Sequence, residues 1–210
     1  MNNLYKALDI NQLYTKLPMK YDVERLQGEV FSLSLKGYIY YDVIPLRAPA
    51  HTLAPSLPFP PPADDYADGS WCDWLNSQVL HDLPYIKQIV EEISNHTKVN
   101  LVRILRLAPG AVVKEHTDPT LGLEVDRSVI RLTIPIVNED GVQFILDGKV
   151  VPMKPGECWY MQLTKPHSVI NNSNADRINL TIDVIPNAWL MSQIEQGNLY
   201  LRNSTTTNEI

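Results

Sequence analysis

From Val99 to Ile185 the chain is a succession of short β-rich segments, each separated from the next by turn residues. Leu101–Leu107 ends at Ala108-Pro109-Gly110, which leads into Ala111–Asp118. Ser128–Val137 follows, then Val142–Asp147 and Lys149–Met153 on either side of Asp147-Gly148, a pair suited to the two left-handed positions of a type I′ hairpin. Pro155-Gly156 introduces Glu157–Leu163, and Asn171-Asn172-Ser173-Asn174 parts His167–Ile170 from Arg177–Ile185. Strands this short, with turns at such regular intervals, predict a sandwich or barrel.

The N-terminal half reads differently. Residues 1–30 have helical spacing with Asp22 as N-cap, and so do residues 71–95, where Pro84 precedes the stripe Ile86, Ile89, Val90, Ile93. Phe31–Leu46 between them is β-like. Prolines 49, 55, 58, 60, 61 and 62 make 49–70 a loop, either a lid over a pocket or a passive surface excursion. The expected organisation is mainly β with N-terminal helices, in one domain over residues 1–202. Residues 1–98 pack as helices and loops on a barrel core at 99–190, and 203–210 form a disordered tail.

Composition narrows the partners. A net charge of −6 with no cluster of Lys and Arg argues against nucleic acid. No run of apolar residues is long enough for a membrane span, and the first residues are too polar for a signal peptide. The two cysteines, Cys72 and Cys158, have no disulfide or zinc spacing, so a reducing cytoplasm is the expected setting.

Within the strand-rich half, Lys114-Glu115-His116-Thr117-Asp118 is answered by Lys165-Pro166-His167. On a strand, residues two apart share a face, so His116 and Asp118 can reach one ion, with His167 supplied by a neighbouring strand. Two histidines and a carboxylate suit non-haem iron(II) with open positions. Alone the motif is weak, because acidic residues two places from a histidine arise readily by chance. The alternative is a surface strand with both residues solvated.

The alternation along Arg177-Ile178-Asn179-Leu180-Thr181-Ile182-Asp183 puts the aliphatic residues on one face and Arg177, Asn179 and Thr181 on the other. Ile130-Arg131-Leu132-Thr133-Ile134 repeats it. That polar face is either solvent-exposed, as is common for antiparallel strands, or it lines a cavity behind a helix-covered sheet. A buried keto acid would need a cation at its far carboxylate, and an arginine fork pairs both oxygens at once.

These pieces, with Arg103–Gly110, Leu121-Gly122-Leu123-Glu124, Gly156–Tyr160 and Pro166–Val169, resemble the aspartyl/asparaginyl β-hydroxylase-like family of iron(II)- and 2-oxoglutarate-dependent dioxygenases, its short bacterial members above all. The resemblance runs from about Leu83 to Leu190. It implies a double-stranded β-helix, or jelly roll. It also implies that His116, Asp118 and His167 are the iron ligands and that Arg177 pairs with the distal carboxylate of 2-oxoglutarate. Thr133 stands where the family commonly has histidine, which leaves the substrate open. The activity implied is hydroxylation of an amino acid, free, peptidyl or carrier-bound, with O2 consumed and 2-oxoglutarate converted to succinate and CO2.

Arg131, on the cavity face with Thr133, is expected to bind a substrate carboxylate; the alternatives are pairing with Asp183 or Glu124, or steadying the iron-bound end of 2-oxoglutarate. Trp159 and Met161 could wall the pocket with Asn179, or simply fill the core. Two other readings compete: a cupin-like metal enzyme with no use for 2-oxoglutarate, and a non-catalytic jelly-roll binding module.

Overall fold

The computed structural model describes residues 13–33, 41–54, 69–70 and 72–206. Its strands are β1 (Tyr14–Lys20), β2 (Tyr41–Pro49), β3 (Trp74–Asn76), β4 (Val99–Leu107), β5 (Val112–His116), β6 (Ile130–Val137), β7 (Val142–Leu146), β8 (Lys149–Val151), β9 (Glu157–Met161), β10 (His167–Asn171) and β11 (Arg177–Val184). Helices α1 (Val23–Ser32), α2 (Ala50–Leu53), α3 (Gln78–His81), α4 (Pro84–Ser94) and α5 (Ala188–Thr206) complete the fold.

From β4 onward the chain alternates between two antiparallel sheets. The larger has the order β1-β9-β6-β11-β4-β2-β3 and the smaller β5-β10-β7-β8. Strands that switch sheets in this way wind into a double-stranded β-helix. Asp147 and Gly148, at φ 48° and 74°, make the tight β7–β8 turn with both residues left-handed, as a type I′ hairpin requires.

The first half departs from expectation. Tyr14–Lys20, read as helix, is an edge strand on β9, with Tyr14 opposite Met161. Its alternation carries the reason: Thr15 and Leu17 are buried, while Lys16, Pro18 and Lys20 sit on an edge, where a missing N–H and charged flanks are tolerated. Trp74–Asn76, inside the expected 71–95 helix, is strand β3, paired with β2. Helix α1 does begin at Asp22, whose carboxylate accepts from Arg25 N at 3.1 Å. Pro84 opens α4, whose first amides, Tyr85 N and Ile86 N, donate to the Glu29 carboxylate of α1 at 2.6 and 2.9 Å. The N-terminal part thus contributes three strands to the larger sheet as well as helices.

At the other end, α5 continues through Thr206, so residues 203–206 of the expected tail are helical; 207–210 lie outside the described residues. A buried hydrogen bond from Thr15 Oγ1 to Asn198 Oδ1 ties this helix to β1. Most of the proline-rich 49–70 segment on which the lid reading falls, residues 55–68, also lies outside the described residues.

Two apolar clusters follow from strand alternation. Leu132, Ile134, Ile178, Leu180 and Ile182 meet Leu26, Val30, Ile86, Ile89 and Ile93 between the larger sheet and the helices. Leu107, Phe144, Leu146, Trp159, Met161 and Val169 pack between the sheets. The polar residues of β6 and β11 therefore face inward: Thr133, Arg177, Asn179, Thr181 and Asp183 are all buried.

Candidate metal centre

The register of the smaller sheet sets the site. His167 pairs directly with His116 across β10 and β5, and their ring centroids lie 4.3 Å apart. Strand β5 ends at His116, so Asp118 is not on a strand as expected. It is placed by its backbone instead: Asp118 N donates to Leu163 O at 2.9 Å, and Asp118 O accepts from Leu121 N at 3.0 Å. Ligand atoms of His116, Asp118 and His167 all lie within 4.8 Å of one another.

Both imidazoles are oriented alike. His116 Nδ1 lies 2.8 Å from Lys114 O, and His167 Nδ1 lies 2.9 Å from Lys165 O. A ring nitrogen facing a carbonyl must carry the proton, which leaves the lone pair on Nε2. Burial lowers the His167 pKa; the Lys165 carbonyl opposes this, His116 and Arg131 reinforce it, and Asp118 opposes it. His167 also stacks on Phe144, at 5.8 Å and 10° between planes. A neutral imidazole with a fixed tautomer is the form that binds a divalent metal.

Two cavities meet at this point. One, of about 90 Å3, runs between the sheets past His116, His167, Thr133, Met161, Asn179 and Arg177. Arg177 is 5% exposed. Its guanidinium lies 5.9 Å from the Phe144 ring centroid. With the Asn179 amide turned so that its oxygen faces the arginine, that oxygen accepts from Arg177 Nη1 at 2.8 Å. The second cavity, of about 330 Å3, is lined by Trp74, Asn100, Arg103, Val129 and Asp183 among others. Among the described residues, only Asp118 and Arg131 line both.

Arg131 joins two carboxylates. Its Nε and Nη2 donate to Asp183 Oδ1 and Oδ2 at 2.8 and 2.9 Å, and Nη1 donates to Asp118 Oδ2 at 3.1 Å. Of the alternatives to a substrate carboxylate weighed for Arg131, pairing with Asp183 is the one the structure contains. Glu124, the other acid considered for this role, instead accepts from Gln162 Nε2 at 2.9 Å and from Thr164 Oγ1. Thr133 and Asn179 line the smaller cavity and not the larger, and Met161 walls it. Trp159 belongs to the apolar core, with its indole N–H on Glu157 Oε2 at 3.1 Å.

Sequence reasoning passed over Phe144 and the larger cavity's Trp74, Asn100 and Arg103. Phe144 looked like any hairpin aromatic, although strand alternation sets it on the face that carries Leu146. Arg103 and Leu105 alternate with buried Val102 and Ile104 along β4, the same signal as in β6 and β11.

Comparison with known proteins bears on the family to which the chain belongs. A family model described as aspartyl/asparaginyl beta-hydroxylase matches residues 71–186. L-proline cis-4-hydroxylase of Rhizobium meliloti (strain 1021) is 31% identical over 109 residues, covering 52% of this chain and 38% of that protein. L-proline cis-3-hydroxylase 2 of a Streptomyces species is 31% identical over 107 residues, covering 50% and 36%. The matched stretch therefore spans less than two-fifths of either relative. The viral collagen prolyl hydroxylase vCPH from Paramecium Bursaria Chlorella virus-1 is 12% identical and superposes with a TM-score of 0.51, covering 84% of this chain and 97% of that one. That likeness bears on the fold alone. With its match over more than half of its length, the chain belongs to the aspartyl/asparaginyl β-hydroxylase family.

Proposed function

We propose that the protein is an iron(II)- and 2-oxoglutarate-dependent dioxygenase that hydroxylates an unactivated C–H bond of a small amino acid or a derivative of one. One observation carries the reading: two imidazoles presenting Nε2 and one carboxylate converge at the end of a cavity that also holds a buried arginine. The donor set fits iron(II), since two nitrogens and one oxygen leave further positions for exogenous ligands. Iron and 2-oxoglutarate together supply the oxidising power: O2 gives one atom to succinate and one to the substrate, and CO2 is released.

The protein's own part is placement. His116, Asp118 and His167 hold the metal. Arg177 receives the distal carboxylate of 2-oxoglutarate in the smaller cavity, where its low exposure keeps water from competing. Phe144 supports both His167 and Arg177. The substrate takes the larger cavity, across the Asp118–Arg131 pair, against Trp74 and Val129. An amino acid is the substrate class favoured because both curated relatives are named as proline hydroxylases and because that cavity presents groups of both signs. A cytoplasmic setting is part of the same reading: Cys72 and Cys158 are free, and no helix among the described residues is long and apolar enough to cross a membrane.

The test is succinate formation from 2-oxoglutarate under air, with L-proline and a panel of other free amino acids. Iron-dependent succinate matched by hydroxylated product, lost in His116→Ala together with bound iron, is the expected result. Equal iron in wild type and His116→Ala removes the site from consideration.

A further inference from the structure

The proposed ligand Asp118 has two equivalent oxygens and lies outside any strand, so something must decide which oxygen faces the metal. Its backbone is held by Leu163 and Leu121, but neither contact fixes the carboxylate. The contact that does is Arg131 Nη1 on Oδ2. Where that nitrogen points is decided in turn by Asp183, which is 4% exposed, sits on β11 opposite Arg131 in register, and takes Nε and Nη2 with its two oxygens. Nε and Nη2 of the fork are thus committed to Asp183, and Nη1 donates to Asp118.

We propose that Asp183 is a positioning residue for the metal site: by holding the Arg131 fork it limits Arg131 to Oδ2 of Asp118 and reserves Oδ1 as a single-toothed ligand. The proposal rests on the metal-site reading above and extends it to a residue that touches neither metal nor cosubstrate. Without Asp183, the fork can turn and claim both oxygens of Asp118, in direct competition with the metal. Without Arg131, Asp118 is released to chelate with both oxygens and occupy a position otherwise open. The arrangement therefore protects ligand strength and coordination number together.

Cobalt(II) binding, followed by visible absorption, reads both quantities without turnover. Loss of a partner that orients a ligand typically weakens metal binding about 10- to 100-fold, and Asp183→Asn is expected to fall in that range. In an Arg131→Gln background the same Asp183→Asn change should alter affinity by about twofold or less, because the group through which it acts is gone. Equal weakening in both backgrounds makes Asp183 a merely structural residue and overturns the proposal, as does wild-type affinity in Asp183→Asn. Should Asp183→Asn alone not fold, Asp183→Glu carries the test, since it keeps the charge that pairs the guanidinium but shifts the fork that the shorter side chain holds. Its cobalt affinity and spectrum should both depart from wild type, and wild-type values for the two together overturn the proposal. Wild type against His116→Ala in the same assay isolates the underlying metal reading: if those two bind cobalt alike, it is that reading that has failed.

Discussion

Arg177→Ala gives the sharpest test of the cosubstrate assignment. The side chain is 5% exposed, so solvent screening offers little relief when one member of a charge pair is removed. Breaking such a buried pair from one side costs about 3–5 kcal/mol. At about 1.4 kcal/mol per factor of ten, that corresponds to a loss in affinity of roughly 100- to 4000-fold. The lower end is the expected one, because truncation enlarges a cavity of about 90 Å3 and admits water to the stranded carboxylate. Arg177→Lys keeps the charge but not the fork, and about a tenfold loss is expected. The assay is calorimetric titration of 2-oxoglutarate into the manganese(II)-loaded protein without oxygen, which separates binding from turnover. Affinity within about threefold of wild type in Arg177→Ala would refute the assignment and favour a cupin-like enzyme with no use for the keto acid.

Three further outcomes are expected. Trp74→Ala should raise the substrate KM at least about fivefold while leaving 2-oxoglutarate affinity unchanged, since Trp74 lines only the larger cavity and a buried aromatic contact carries 1 kcal/mol or more, about. Burial pushes the Glu124 carboxyl up, but hydrogen bonds from Thr164 and Gln162 outweigh it and hold the group below the ordinary carboxylate range. A depressed carboxylate stabilises the fold above its unfolded value and loses that contribution as pH falls through the folded one. Thermal scans from pH 6 to 3, by about half-unit steps, should therefore show a shallower acid decline in Glu124→Gln, by about 0.5 kcal/mol or less given its exposure. Gly156→Ala should lower urea stability by about 2–3 kcal/mol, because the residue sits at φ 78° and a Cβ would lie 2.5 Å from Tyr21 O.

The barrel half was legible because two-residue alternation and turn chemistry agreed at each step; Asp147-Gly148 and Pro155-Gly156 both lie where the chain turns. The polar inner face was legible too, since Arg177, Asn179 and Thr181 alternate with aliphatic residues. What alternation cannot convey is pairing between side chains far apart in sequence. Arg131 and Asp183 are 52 residues apart, and their ion pair depends on register, which no local pattern encodes. β1 escaped notice because Pro18 and three polar neighbours diluted its period; only its place at a sheet edge makes that composition suitable. Asp118 was assigned to a strand by spacing, whereas the loop contacts to Leu163 and Leu121 hold it.

The rung between His116 and His167 has a bearing on how the domain comes together. Among the described residues, strand β5 lies at the edge of the smaller sheet, with β10 as its one neighbour there. It is largely exposed, with Val112 55% accessible. A strand so placed has little burial of its own and is among the first parts to open in local fluctuations. A metal ion gripping both ends of that rung acts as a cross-link closing a loop of some fifty residues, one that the bare chain must close by backbone pairing alone. Amides of β5 should therefore exchange with solvent well before those of β10 in the metal-free protein, and metal should slow them by mass action. On the proposed metal reading the site would also be a late fastening of the fold: the strand that carries His116 would gain much of its order from the ion it helped to bind.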